Sequence, residues 1–403
     1  MRYALLVIPL LLAQDKPFDA VRCEDLPQDR PSDLLKNDGW KAVRAFVEKG
    51  TESKAALEEA AKSEDSDIAF YAKAALAEID ARAAADKQIR LTKEMKEAPA
   101  KDVIAELFKA MEQKIALDGI PDKATSIPAG LTIVEALEKV SVDVGVEFNI
   151  AEDGQWHVST VVSKGPRFVF GQFRAHLEAV RRTTQNEFDK PIVTGLTYSG
   201  VIEPDASFKI TDRYPTIKIL EAVDDSGANL KKNINIVDRY GRAWRNGRET
   251  NLPFTLTVAA PEGKATKISK LRLSTELSCE KKRDVFTFEK VLEAKGVEKT
   301  LGSVTATIKD ISVDGQEYKV ELEITAKTVV QFPEWDTIKL TDDKGGEYQR
   351  WSSSSSQGGK KANYRFGYRN PGGLGNPATF TFSMVTETLK RTLYFEFRDV
   401  PLK

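Results

Sequence analysis

The second half of the chain contains two copies of one sequence pattern, and this duplication constrains the fold more than any other feature. Residues 171–180 align with residues 302–311, with apolar residues at four matching positions. Residues 286–291 align in the same order with residues 395–400, and a basic pair precedes each of these two segments. Because the matched segments keep their order, we expect one structural unit to be present twice.

Both copies have the residue types and the periodicity of β-structure. After Phe168, β-branched and aromatic residues alternate with polar ones, a pattern typical of strands with one buried face. At about 110 to 130 residues, each copy has the size of an immunoglobulin-like sandwich of two antiparallel sheets. We therefore predict sandwiches at 166–292 and 297–403, with Phe288 and Phe397 in equivalent core positions.

An Asp-Asp-x-Gly phrase recurs in the two copies, at residues 224–227 and 342–345. Asp and Gly are frequent in hairpin turns, where glycine accepts a positive φ. Clustered carboxylates also bind calcium, but such a site needs six or more oxygen ligands. We interpret both phrases as turns, with calcium binding as the alternative.

The N-terminal part, from 32 to 119, is rich in Ala, Glu, Lys and Leu. Ile68, Tyr71, Ala75 and Ile79 are spaced as the apolar stripe of one helix. The phrase AAKSEDSDIAFYAKAALAEID resembles a HEAT-type repeat, in which an acidic turn leads into an Ala/Leu-rich second helix. The resemblance implies short antiparallel helices that need neighbours to bury their apolar faces.

Residues 125–163 change from a helical period to a period of two and predict a helix followed by a β-hairpin. The phrase GLTIVEALEKVSVDVGVEFNI resembles the short N-terminal module of secretins and TonB-linked receptors. The resemblance implies a small βαββ interaction module of the kind common in cell-envelope proteins. The alternative is an α/β linker that packs on the next domain. The expected fold class is thus multidomain α+β.

The chain begins with a basic residue, Arg2, and an apolar run that ends at Ala13. A run of about 10 apolar residues is too short for a membrane-spanning helix and is typical of a secretory signal. We predict a signal peptide at 1–13 and an exported mature protein, periplasmic or extracellular, without a transmembrane segment. In such a compartment a disulfide between Cys23 and Cys279 is conceivable.

The charge balance and the rare residue types exclude several function classes. The chain has 60 Lys and Arg against 61 Asp and Glu, so no global basic field favours nucleic acid as a partner. Only two His and two Cys are present, which leaves no zinc-finger spacing, and no phosphate loop or nucleophile motif occurs. We therefore expect no cofactor, no metal and no enzymatic activity.

One end of the chain combines positive charge with aromatic residues. Basic residues outnumber acids between 344 and 403, around a serine run at 352–356 that we interpret as a loop. Cationic and aromatic side chains beside a loop suit a protein partner or an anionic polysaccharide. The predicted ligand-binding surface consists of Trp351, Lys360, Lys361, Tyr364 and Tyr368.

The order of these parts resembles that of uncharacterised exported bacterial multidomain proteins with HEAT-like helices and tandem immunoglobulin-like sandwiches. The resemblance implies a non-enzymatic envelope protein that acts in binding or in structural organisation. Two alternatives stay open. One is a carbohydrate-binding protein or a carboxylate-pair glycan hydrolase, since such a hydrolase needs only two suitably placed acids. The other is a component associated with secretion or with a receptor.

Overall fold

A computed structural model gives the architecture of most of the chain. The residues that it describes are 31–84, 90–150, 156–160, 165–185, 193–204, 210–211, 217–230, 252–261, 264–328, 330 and 333–402. The predicted signal peptide and Cys23 lie outside these residues. Cys279 is buried in a β-core. The protein combines an N-terminal helical region with several β-sheets, as the α+β expectation requires.

Four helices form the N-terminal region. They are α1 (Pro31–Asp38), α2 (Trp40–Lys49), α3 (Lys54–Ala60) and α4 (Ser66–Ala84). The Oδ1 atom of Asp65 accepts a hydrogen bond from the backbone N–H of Asp67 at 2.9 Å and so caps α4. The stripe of Ile68, Tyr71, Ala75 and Ile79 is buried in the core that these helices share.

A second core follows in the chain and contains both helix and strand. Its elements are β1 (Met95–Pro99), α5 (Ala100–Ala110), β2 (Ala124–Ile127), α6 (Ile133–Val140), β3 (Glu147–Ile150) and β4 (Trp156–Ser159). The hairpin of β3 and β4 follows α6, where the sequence predicts a helix and a hairpin. However, α5 shares this core and not that of α1–α4, so the expected boundary between 119 and 125 does not separate two cores. The reason is that the apolar face of α5 packs on α6.

Thirteen further strands build the C-terminal part of the described chain. They are β5 (Arg167–Phe170), β6 (Phe173–Gln185), β7 (Val193–Pro204), β8 (Ile217–Asp224), β9 (Leu252–Ala259), β10 (Lys267–Glu289), β11 (Glu298–Leu301), β12 (Val304–Asp314), β13 (Glu317–Ala326), β14 (Lys339–Asp342), β15 (Gln349–Gly358), β16 (Lys361–Arg369) and β17 (Pro377–Pro401). They form three sheets with the orders β5-β6-β7-β9, β11-β12-β13-β16-β15 and β14-β17-β10-β8.

The last of these sheets is shared between two hydrophobic cores, because β10 and β17 are long and pair along their whole length. Their antiparallel register runs from Lys267 opposite Pro401 to Glu289 opposite Thr379. The first half of β10 and the second half of β17 cover the sheet β5-β6-β7-β9. The other halves of both strands cover the five-stranded sheet. Each core therefore lies between two sheets.

This sharing changes which part of the chain builds which core. Phe288, expected in the first sandwich, lies in the second core opposite Phe380, and Phe397 lies in the first core opposite Leu271. The boundary expected between 292 and 297 therefore separates neither core. The physical cause is strand length: β10 continues past the edge of its own core, and after the charged run 280–284 its buried residues Phe286 and Phe288 complete the neighbouring core.

The two copies nevertheless have the same strand order, as the sequence duplication predicts. In each, four equivalent strands lie in one sheet, β5-β6-β7-β9 or β11-β12-β13-β16, and β15 adds a fifth strand in the second copy. Three strands close each core, β8-β10-β17 in the first copy and β14-β17-β10 in the second. Local irregularities repeat as well. A tight turn with a glycine at positive φ, Gly171 or Gly302, opens β6 and β12, and a β-bulge follows Leu177 and Ile308 at the same distance from it.

None of the described helices is long and apolar enough to cross a membrane.

Candidate functional site

Two of the five residues predicted to bind a ligand are core residues. Tyr364 is 2% exposed and Tyr368 is fully buried, and both belong to the second hydrophobic core. The ring of Tyr368 packs edge-on against Phe380, with 6.4 Å between centroids. The prediction that these two tyrosines form a binding platform is therefore wrong. They alternate along β16 with the outward residues, and this alternation turns both rings inward.

The serine run is a strand and not a loop. Residues 352–356 lie within β15, which pairs with β16 at the edge of the five-stranded sheet. Ser354 lies opposite Arg365, and Ser356 lies opposite Asn363. The serines are largely exposed and add a row of hydroxyl groups to the sheet. The expectation of a loop was wrong. It rested on the frequency of serine-rich segments in loops, but here the pairing with β16 overrides this local preference.

Trp351 is the aromatic residue that this sheet presents to solvent. Its side chain is 44% exposed and lies over Gly367 of β16, where a β-bulge interrupts the register of β15. A Cβ at Gly367 would lie 3.1 Å from two atoms of the indole ring and would overlap the hydroxyl of Ser352. The guanidinium carbon of Arg369 lies 4.5 Å from the ring centroid, close enough for a cation–π contact. Glycine at 367 thus makes room for the indole on the outer face.

Three ion pairs cross the same outer face between β13 and β16. Arg369 binds Glu317 at 2.8 Å and Arg365 donates from Nε to Glu321 at 2.8 Å. Lys361 binds Glu323 at 2.7 Å, and this hydrogen bond holds the pKa of the Glu323 carboxyl below its usual value. The glutamates of β13 thus neutralise the positive charges of β16 on the face that carries them.

The basic surplus of the C-terminal segment is therefore not a free positive field. Six of its basic side chains form ion pairs within the described residues, namely Lys361, Arg365, Arg369, Lys390, Arg391 and Arg398. Five of their six partners are acids that precede 344 in the sequence, so a count over the segment alone overstates the local charge. These ion pairs remove the electrostatic attraction that favoured an anionic ligand.

The two predicted lysines lie at a distance from the tryptophan. Lys360 is exposed in the turn that joins β15 to β16, and Lys361 begins β16. Trp351 lies near the other end of the hairpin, about 25 Å away at the usual rise along a strand. We define the β15–β16 face as the outer sides of β13, β15 and β16, with Trp351 at one end and Lys361 at the other.

The two Asp-Asp-x-Gly phrases are turns with one shared geometry. Oδ1 of Asp224 accepts from the backbone N–H groups of Ser226 and Ala228, both at 2.9 Å. Oδ1 of Asp342 accepts in the same way from Lys344 at 3.0 Å and Gly346 at 2.7 Å. These carboxylates close their own turns, which supports the turn interpretation over calcium binding.

The two histidines differ in environment. His157 is exposed on β4, whereas His176 is 7% exposed, with Nε2 at 3.3 Å from Glu178 and Nδ1 at 3.6 Å from Glu203. His176 is buried because its strand lies between two others and because Glu203, which pairs with Arg174, lies against its ring. Among the described residues no group of three His, Cys, Asp or Glu side chains is placed to hold a metal ion.

Sequence reasoning missed the residues that shape the β15–β16 face. Gly367, Arg369 and the three glutamates of β13 were not singled out. The available signal was the alternation in residues 361–369, where charged residues, Asn or Gly occupy odd positions and Ala, Tyr and Phe occupy even ones. Comparisons of the chain with known protein families, with curated proteins and with solved structures found no match.

Proposed function

We propose that the protein is an exported, non-enzymatic binding protein and that the β15–β16 face holds an extended, uncharged polysaccharide strand. The observation that carries the proposal is the half-exposed indole of Trp351, which Gly367 accommodates on the outer face of the sheet. Sugar rings stack on aromatic faces, and sugar hydroxyls bond to the serine, asparagine and ion-pair groups that such a face offers.

The charges of the face support a neutral ligand. Lys361, Arg365 and Arg369 each have a glutamate partner, so an acidic polymer would have to compete with three existing pairs. Paired charges still donate and accept further hydrogen bonds, since an Arg guanidinium has five N–H groups.

The same pairs favour binding over hydrolysis. A carboxylate-pair hydrolase needs one acid whose pKa is raised so that it donates a proton to the leaving group. The pKa of Glu323 is instead lowered by Lys361. Glu317 and Glu321 are each held by an arginine.

The test is co-sedimentation of the full-length protein with insoluble cellulose and chitin, and titration with soluble alginate as an acidic polymer. We expect binding to an uncharged glycan that persists at high salt and falls at least 10-fold in Trp351→Ala. Gly367→Ala, which keeps every contacting group but displaces the indole, should weaken binding as well. Val285→Ala, at an apolar residue that is 62% exposed on another sheet, is the matched control.

The outcomes separate the alternatives. Binding to alginate that weakens with salt would show the anionic ligand that we first expected. Equal binding by wild type, Trp351→Ala and Gly367→Ala would remove this face from consideration. The predicted export is tested separately: N-terminal sequencing of secreted protein should find a start near Gln14.

A further inference from the structure

β15 is an edge strand without the usual protection. Its seven residues from Ser352 to Gly358 carry no charged side chain and no proline, and it is the outermost strand of its sheet. Within the described part of the chain, the backbone of 352–357 forms hydrogen bonds only with β16. Proteins commonly protect such edges with charges, proline or shortness, because an open edge pairs with any available strand.

Other edge strands of the molecule are protected in these ways. β11, at the opposite edge of the same sheet, has four residues and includes Glu298 and Lys299. β14 also has four residues and includes Lys339 and Asp342. The open edge of β15 is therefore a specific feature and not a general property of these sheets.

We propose that β15 pairs antiparallel with β15 of a second copy of this chain. A second copy fits this edge because β15 is self-complementary, and an isologous interface needs a patch that matches itself across a two-fold axis. With the axis at Ser354, each serine of 352–356 faces a serine. Trp351 faces Gln357 and Arg350 faces Gly358, so no two like charges are opposed.

Such pairing makes one continuous sheet from the two five-stranded sheets. A two-fold axis perpendicular to the sheet leaves both β15–β16 faces on the same side, with the two Trp351 side chains about 20 Å apart along the strands. The inference does not rest on the proposed function. If that function holds as well, the dimer offers two tryptophans to one polymer and raises its avidity.

The first test is the mass of the full-length protein in solution, measured by size exclusion with light scattering at concentrations up to about 0.1 mM. We expect a dimer for wild type and a monomer for Ser354→Lys, which places two lysines opposite each other. Ser354→Glu should also be monomeric, and an equimolar mixture of the two variants should restore the dimer. Thr300→Lys, on the exposed β11 edge, is the matched control and should remain dimeric.

The second test is a crosslink. Residues directly opposite on antiparallel strands have Cα atoms about 4.5 to 5.5 Å apart, within disulfide range. Ser354→Cys should therefore give a covalent dimer under mild oxidation. Ser356→Cys, whose two copies would lie about 14 Å apart, should give no more than wild type. A monomeric wild type, a dimer that survives Ser354→Lys, or equal crosslinking by the two cysteine variants would overturn the proposal.

Discussion

The two halves of the long β10–β17 ribbon have matching inner faces and different outer faces. In the first half, Arg272 lies between Glu221 of β8 and Glu396 of β17. At the equivalent place in the second half, Thr381 lies between Lys339 and Thr287. The inward neighbours, in contrast, are apolar in both halves. Duplication has thus kept the positions that fill a core and changed those that face outward.

The outer face of the first half is where the N-terminal helices dock. Arg272 is 1% exposed and bonds Asp67 of α4 and Glu396, both at 2.7 Å, while its guanidinium carbon lies 4.4 Å from the centroid of Phe70. The Tyr71 hydroxyl donates to Glu396 at 3.1 Å, and burial raises the pKa of that hydroxyl. A buried ionic cluster thus distinguishes the sheet face that forms an interface with the helices.

The largest expected effect tests the shared cores. Phe288→Ala and Phe397→Ala should each lower the free energy of unfolding by about 3 to 5 kcal/mol, because both rings are fully buried. Denaturant unfolding measures the loss, and hydrogen exchange locates it. Phe288→Ala should raise exchange first in β12, β13 and β16, and Phe397→Ala in β6 and β7. Effects in the reverse places would contradict the sharing of β10 and β17.

The second prediction compares the outer faces directly. Arg272→Ala leaves Glu396 buried with a weaker set of partners and should cost about 3 kcal/mol. Thr381→Ala, at the equivalent and half-buried position, should cost less than about 0.5 kcal/mol. Urea unfolding of both variants is the measurement. Similar losses would mean that the helices add no specific stabilisation to the first half.

The third prediction concerns acid, and it compares the two turns. The Ser226 hydroxyl and backbone N–H groups hold the pKa of Asp224 below its ordinary value. Backbone N–H groups of Gly375 and Gly346 do the same for Asp342. A carboxyl whose pKa is lowered in the folded state stabilises the protein above about pH 4. This stabilisation is lost as the pH falls through the folded-state pKa. Stability should therefore decline in acid, and each Asp→Asn variant should reduce that decline.

The two variants should differ at neutral pH. Oδ2 of Asp342 accepts a hydrogen bond from the N–H of Gly375 at 3.0 Å. In Asp342→Asn the side-chain NH2 would replace Oδ2 and would face this N–H, so two donors would be opposed. Oδ2 of Asp224 is buried without such a donor among the described residues, so Asp224→Asn should lower the urea midpoint less. A larger loss in Asp224→Asn would contradict the stabilising role of the hydrogen bond from Gly375 to Asp342.

How much of this arrangement is predictable from sequence depends on the range of the interaction. The repeated strands and turns are local patterns, and apolar register alone indicates that Phe173 and Val304 begin equivalent strands. The sharing of β10 and β17 is not local. Alternation in β10 stops at the charged run 280–284 and resumes at Phe286 and Phe288, but nothing in the sequence says that the second stretch fills a different core.

The candidate site also combines features that local sequence predicts with features that depend on distant residues. The period of two around Tyr364 and Tyr368 is sufficient to place both rings in a core once the segment is recognised as a strand. The ion pairs of β16 are harder to predict from sequence, because each glutamate lies far earlier in the chain, as Glu321 lies 44 residues before Arg365. The contact of Tyr71 with Glu396 spans 325 residues. Side-chain charge balance at such separations follows only from the fold.

The smallest expected effect asks whether the second outer face is truly uncovered. Tyr394 packs edge-on against Phe70 at 5.7 Å between centroids, and Val285 occupies the equivalent place in the second half with 62% of its surface exposed. Tyr394→Val should cost about 1 kcal/mol through loss of the aromatic pair. Val285→Tyr should change the free energy of unfolding by less than about 0.5 kcal/mol, because no described element lies over it. A clear stabilisation by Val285→Tyr would show that another part of the protein covers this face. Both outer faces would then be covered, and the two halves would differ only in which part of the protein covers them.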